Sequence, residues 1–254
     1  MGRIIAVANQ KGGVGKTTTA ISLAAALAAF DQKVLLVDLD PQANATSGLG
    51  FSKREGETIY GALLSGSAAG AVKETGFPNL WIVPSGRDLV GAEIELVDQP
   101  DRESRLRFAL GGVRGAYDFL FIDCPPALSL LTVNALAASD SVLVPIQTEY
   151  FALEGLTDLL ETVERVRDSF NPLLAMEGIV LTMYDERTNL ARQVVDDIRH
   201  HFGDRVFETV IPRNVRLGEA PSFGKPVLSY DIKSKGAEAY LALGREFLKK
   251  RKAK

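Results

Sequence analysis

Residues 8–19 read ANQKGGVGKTTT, a glycine-rich turn that holds two lysines and runs into three threonines. Such a turn can cradle a polyphosphate. Glycines let backbone N–H groups converge on phosphate oxygens, the helix start that follows favours negative charge, Lys16 adds a point charge, and the Thr17 hydroxyl can reach Mg²⁺. Gly12, Gly13, Val14, Gly15, Lys16, Thr17 and Thr18 are therefore read as the phosphate site, and Lys11 is one cation more than that site needs. Further on, VLLVDLDPQANATSGLG places Asp38 and Asp40 just past an apolar run, and YDFLFIDCPP ends another such run on Asp123. Because Mg²⁺ keeps several waters, a carboxylate can hold it through water while a hydroxyl binds it directly. Asp123 is the candidate for the water-mediated contact, and Asp38 is a further candidate ligand. Asp38 and Asp40 both fall where a switch loop would face a γ-phosphate.

These groups need a scaffold that gathers several strand ends. The runs RIIAVAN, KVLLVDL, LWIVPS, YDFLFIDC, SVLVPIQ, EGIVLTM and VFETVI lack two-residue alternation, as expected of strands buried on both faces. Helical patterns lie between them. In residues 153–170, Leu153, Leu156, Leu160, Val163, Val166 and Phe170 form one apolar stripe. Alternating strand and helix predicts an α/β fold: one domain over residues 1–254, with a mainly parallel twisted sheet, right-handed crossovers, helices on both faces and ligands at the carboxyl ends of the strands. At 254 residues and 46% hydrophobic content the chain can bury one sizeable core. Residues 52–79 are read as a short helical connection and 249–254 as a frayed tail.

One cysteine, Cys124, excludes an internal disulfide and a multi-cysteine metal site. The absence of an eighteen-residue apolar run and the organisation of MGRIIA lead to the expectation of a soluble cytoplasmic protein. The net charge of −3 averages over an uneven chain: residues 1–186 hold 14 basic and 24 acidic side chains, residues 187–254 hold 15 and 8. The second part suggests a polyanionic partner, with solvated basic helices as the equal alternative.

KGGVGKT resembles the deviant Walker A motif, KGGxGK[ST], of the ParA/MinD class of P-loop ATPases, with Gln10 where the strict P-loop pattern has glycine. LVGAEIELV, DCPPALSLLTVNAL, YFALEGLTDLL, TMYDERTNLA and TVIPRNVRLGEAPSFGKPV extend the resemblance across the chain, to the chromosome-partitioning ATPases ParA and Soj. It implies ATP and Mg²⁺ as cofactors and a homodimer when ATP is bound. Lys11 then crosses the interface to the nucleotide of the other subunit, and acts with Lys16 and with Asp40, which orients the attacking water. Two facing polyphosphates repel, and an added cation per site offsets that repulsion only when both nucleotides are present. The resemblance also makes Asp123 the Walker B aspartate and puts Met183, Pro212, Arg213 and Asn214 near the adenine. It implies non-specific binding of double-stranded DNA through Arg187 and Arg216, with Lys225, Lys233 and Lys235 in the same basic region. Further implications are association with the nucleoid and a slow ATPase stimulated by the basic N-terminal peptide of a ParB-type centromere-binding protein. Ala43 stands where the family commonly has glycine; a positive φ there would strain the switch loop.

Other readings stay open. MinD proteins bind membrane through a C-terminal amphipathic helix, and residues 236–252 are amphipathic and basic, with Ala237, Tyr240, Leu241, Phe247 and Leu248 on one face. A helix packed on the sheet would have the same pattern, and stable membrane association is not expected. A non-catalytic ATP-sensing scaffold is a further alternative. A nitrogenase-type reductase fails because one cysteine per chain gives a dimer two ligands for an iron–sulfur cluster that takes four. A nicotinamide enzyme fails because no G-x-G-x-x-G follows the first strand.

Overall fold

The computed structural model describes residues 1–53, 56–149 and 152–252, with the backbone alone at 152–154 and 252. In chain order the elements are β1 (Arg3–Val7), α1 (Lys16–Ala28), β2 (Val34–Asp38), α2 (Asn44–Gly48), α3 (Ile59–Ser65), β3 (Lys73–Glu74), β4 (Leu80–Val83), α4 (Leu89–Glu95) and α5 (Arg105–Gly111). Then follow β5 (Phe119–Asp123), α6 (Leu130–Ala138), β6 (Ser141–Gln147), α7 (Ala152–Ser169), β7 (Ala175–Thr182), α8 (Asn189–Phe202), α9 (Val215–Glu219), α10 (Val227–Tyr230) and α11 (Lys235–Lys252). The sheet runs β3-β4-β2-β5-β1-β6-β7 and is parallel except at its β3 edge. Strands without alternation are buried on both faces: β2 and β5 expose no residue. Two apolar layers result, one under α1 and α11, the other under α3 to α8. The register sets Val7, Asp123 and Asp38 level on three neighbouring strands, so the loop after β1 emerges beside two carboxylates.

Four expectations need correction. VFETVI is not a strand: Val206 makes only an isolated bridge to Ile179, and the N–H groups of Glu208 and Thr209 donate to the Glu246 carboxylate on α11 instead of to a ladder. Residues 52–79 hold α3 and the antiparallel edge strand β3, whose two charged residues give no apolar signal. On α7, Leu156, Val163 and Val166 are buried with Leu159, whereas Phe170, past the helix end, is 38% exposed; the side chain of Leu153 lies outside the described residues. The helical tail continues through Lys252 rather than fraying at 249, and Lys250 and Arg251 lie over the rings of Phe207 and Phe119; residues 253–254 lie outside the described set.

The face of α11 on which a membrane reading would rest is in the core. Ala237, Tyr240 and Phe247 are buried, and Leu241 and Leu248 pack against the same cluster. Phe247 meets Phe119, Phe121 and Phe207 at ring separations of 5.5, 6.0 and 6.3 Å. No described helix is long and apolar enough to cross a membrane.

Ala43, buried before α2, has φ 52° and ψ 44°. For an L-residue with a Cβ this left-handed conformation costs about 1–2 kcal/mol. Ala43→Gly removes the strain and restores part of the unfolded chain's freedom, about 0.4–1 kcal/mol. The expected net gain is about 0.5–1 kcal/mol, seen as a higher urea midpoint at unchanged m; a lower midpoint would contradict the left-handed turn.

Candidate functional site

The loop from Ala8 to Gly15 leaves β1 and turns into α1. Gly13 and Gly15 have φ of 76° and 88°, values a side chain would resist, and they aim the loop's backbone inward. Gly12 and Gly13 are exposed, Val14 is buried, and Thr17 and Thr18 are half-buried on the first turn of α1. Lys16 is buried, and its Nζ donates to the Lys11 carbonyl at 3.2 Å. Burial lowers the pKa of its ammonium, opposed by the nearby charges of Asp123, Cys124 and Asp40. The Thr182 hydroxyl at the end of β7 donates to the Val14 carbonyl at 2.8 Å and pins the loop from the other side. Lys11 is partly exposed and turns toward Glu149 of its own chain, Nζ to Oε2 3.4 Å.

Asp123 and Asp38 end adjacent strands, and both are fully buried. Neither Asp123 oxygen has a hydrogen-bond partner of normal geometry. Burial raises its pKa well above the usual carboxylate range, Asp38 adds to the rise, and Thr17 and Lys16 oppose it. An orphaned carboxylate beside a threonine hydroxyl and a phosphate-type loop fits a site for a hydrated divalent cation. The oxygens of Asp38 are already taken. Oδ2 accepts from the Thr46 N–H at 2.7 Å and the Thr46 hydroxyl at 2.6 Å, and Oδ1 accepts from the Asp40 N–H at 3.2 Å. Burial still holds the Asp38 carboxyl up at about 6. Its geometry is that of an anchor for the loop carrying Asp40. That loop is braced again by Ser85, whose N–H donates to the Thr46 hydroxyl and whose hydroxyl donates to the Asp40 carbonyl, both at 2.8 Å. Asp40 itself is buried, and its Oδ1 accepts from the Gln42 N–H at 2.9 Å.

Beside the loop is a mostly apolar cleft of about 410 Å³, and among its lining residues are Gly15, Thr18, Met183, Pro212, Arg213 and Asn214. The residues brought forward from distant parts of the sequence thus meet at one wall. The Tyr184 N–H donates to the Ile211 carbonyl and the Arg213 N–H to the Tyr184 carbonyl, each at 3.0 Å, which ties the two segments together. Tyr240 closes the cleft and shares a hydrogen bond of 3.0 Å with Thr19. Tyr240, Thr182, Ser85 and Glu149 escape sequence reasoning. Thr182 had a signal, being a hydroxyl near the end of the apolar run EGIVLTM; Tyr240 reads as one more core residue of an amphipathic helix, and nothing local marks Glu149.

The basic residues fall in two groups. Arg187 and Lys235 line a second cleft with Arg213, and Arg187 forms a bidentate pair with Asp185 at 2.8 and 2.6 Å, which holds that carboxyl down to about 2. Arg216, on α9, pairs with Glu219 at 2.7 Å and Asp231 at 3.3 Å. Lys225 and Lys233 are exposed on the segments that follow. α9 joins these regions: Val215, Leu217 and Gly218 line the apolar cleft while Arg216 belongs to the basic surface.

A family model described as "AAA domain" matches residues 2–176. The chain is 57% identical to the chromosome partitioning protein ParA of Myxococcus xanthus over 98% of its own length and 89% of that protein. It is 54% identical to the sporulation initiation inhibitor protein Soj of Bacillus subtilis, over 97% of this chain and 98% of the relative. Among solved structures, cobyrinic acid a,c-diamide synthase from Mycobacterium smegmatis with bound ADP and magnesium superposes with a TM-score of 0.87 at 37% identity, covering 99% of this chain and 96% of that one. With near full-length identity above one half to proteins named ParA and Soj, and a phosphate-type loop set at the carboxyl ends of a parallel sheet, the chain belongs to the ParA/Soj family of chromosome-partitioning ATPases.

Proposed function

We infer that this ATPase is a nucleotide-gated DNA clamp: ATP joins two copies, the pair binds DNA without sequence preference, and hydrolysis releases it. The observation that supports this most is the placement of α9, which faces the apolar cleft on one side and carries Arg216 toward the basic surface on the other. A base seated against Met183, Pro212, Arg213 and Asn214 bears directly on that helix. Lys16 and the loop's N–H groups hold the phosphates. Thr17 and Asp123 would hold Mg²⁺, which neutralises charge on the β- and γ-phosphates. Asp40, braced through Thr46 and Ser85, orients the attacking water. No arginine of this reading sits in the loop region, so intrinsic turnover is slow, and the basic peptide of a ParB-type partner is the source of acceleration. Binding through Arg187, Arg216, Lys225, Lys233 and Lys235 neutralises phosphates and places the protein on the nucleoid.

The role of Lys11 is testable through its present contact. Leaving Glu149 costs little for a pair this exposed, whereas a partner subunit's polyphosphate offers more charge. Lys11→Ala is expected to bind ATP but sediment as a monomer with Mg²⁺-ATP, while the parent chain sediments as a dimer that shifts duplex DNA only with ATP. Equal DNA affinity with ADP would sink the gating.

The buried carboxylates make a pH prediction. The Asp38 pKa rises on folding from 3.8 to about 6, so between these values the native state holds protons the unfolded chain has lost. Stability therefore falls as pH rises through about 4 to 6, and Asp123 acts in the same direction. A cation bound at Asp123 favours the ionised form, so Mg²⁺-ADP is expected to raise the melting temperature more at pH 7.5 than at pH 5.5. Asp123→Asn should flatten that difference and, without ligand, melt higher than the parent at pH 7.5. An unchanged magnesium response in the variant would remove Asp123 from the site.

A further inference from the structure

The residues between α9 and α10 form a turn, Ala220–Phe223, with an aromatic ring at its tip. Phe223 is 62% exposed. Its ring lies 4.9 Å from that of Tyr230, and the Tyr230 hydroxyl donates to Glu219 at 3.2 Å, the carboxylate that also takes Arg216. Lys225 follows two residues later, and Lys233 follows Asp231, the second partner of Arg216. An exposed phenylalanine is thus built into the middle of the basic surface. It is also firmly mounted. Gly224 and Gly50 have φ of 63° and 86°, and a Cβ on Gly224 would come within 2.7 Å of the Gly50 Cα, so the turn's backbone lies against the chain leaving α2. That chain begins at the loop carrying Asp40.

A ligand for this turn has to satisfy cations and an aromatic face together. Duplex DNA does both: phosphates take the cations, and phenylalanine side chains are among those that enter the minor groove and press on base steps. A lipid surface also combines the two, but it is gripped by a continuous apolar helix face, and the corresponding face of α11 is spent on the core. We propose that Phe223 is an apolar contact to duplex DNA, entering the minor groove while Arg216, Lys225 and Lys233 engage the flanking phosphates. This rests on the DNA-binding reading and adds to it a contact that releases no counterions.

Salt titration separates the two kinds of contact. Binding of random-sequence duplex is measured with Mg²⁺-ATP across a range of salt, for the parent chain, Phe223→Ala and Arg216→Ala. Phe223→Ala is expected to bind about tenfold more weakly for each subunit engaged, at every salt concentration and with the same log–log slope, whereas Arg216→Ala should lose about 0.9 of slope per subunit, about 1.8 for the pair. Thermal melting checks that each variant is folded. As a direct readout, Phe223→Trp in a Trp81→Phe background places the only tryptophan at the tip, and its fluorescence should be quenched by duplex. Parent-like affinity of Phe223→Ala, or an unquenched tryptophan with duplex bound, overturns the proposal while the DNA reading stands on Arg216. A blue shift with phosphatidylglycerol vesicles but no response to duplex overturns it in favour of lipid. Failure of the parent chain to bind duplex in any nucleotide state overturns the proposal and the reading beneath it.

Discussion

Two carboxylates and one ammonium removed from water organise this molecule. Asp38 and Asp123 end neighbouring strands with no solvent contact, and Lys16 is buried within electrostatic reach of Asp123. In bulk water these charges would interact weakly; in a low-dielectric interior burial dominates their protonation, and Asp38 and Lys16 bias that of Asp123 in opposite directions. The double-sided burial of the central strands makes that interior. The sheet is therefore more than a platform, since its packing leaves Asp123 unsatisfied and so receptive to a cation. Asp38 is satisfied by protein donors and Asp123 by none of normal geometry, so two acidic residues set level in one register differ: one holds a loop, and the other is the residue our reading gives to Mg²⁺.

The second level of organisation is mechanical. The loop after β2 is linked by Thr46 and Ser85 to the chain following β4, and the segment leaving α2 touches the turn at Gly224. α9 stands between the apolar cleft and the basic surface. The proposed coupling of nucleotide to DNA calls for short, directly packed elements of this kind, because packed interfaces shift between discrete arrangements. The carboxylates paired with Arg187 and Arg216 fit the same scheme, because they temper the attraction to polyanions in the isolated subunit.

Much of this was legible in the sequence, for physical reasons. Strands buried on both faces cannot alternate, so β1, β2, β4, β5, β6 and β7 stand out as apolar runs, and each predicted catalytic side chain lies at or just past the end of one or on the loop that follows. The failures are equally physical. VFETVI has the composition of a strand, but the N–H groups of Glu208 and Thr209 at its middle are captured by Glu246, a competitor 37 or more residues away. β3 is too short and too charged to register. Lys250 and Arg251 look like a solvated tail because stacking of a cation on a ring depends on where distant strands put Phe207 and Phe119. Glu149 became visible only when β6 brought it to Lys11.

The contact between Thr19 and Tyr240 spans 221 positions. One lies on the first turns of the phosphate-loop helix, the other on α11, and the apolar cleft that Tyr240 lines is not complete until α11 is present. A ribosome will therefore have released the phosphate loop long before that cleft is complete. The nascent chain passes most of its synthesis without a complete nucleotide pocket, and fragments ending before α11 lack the wall that Tyr240 supplies.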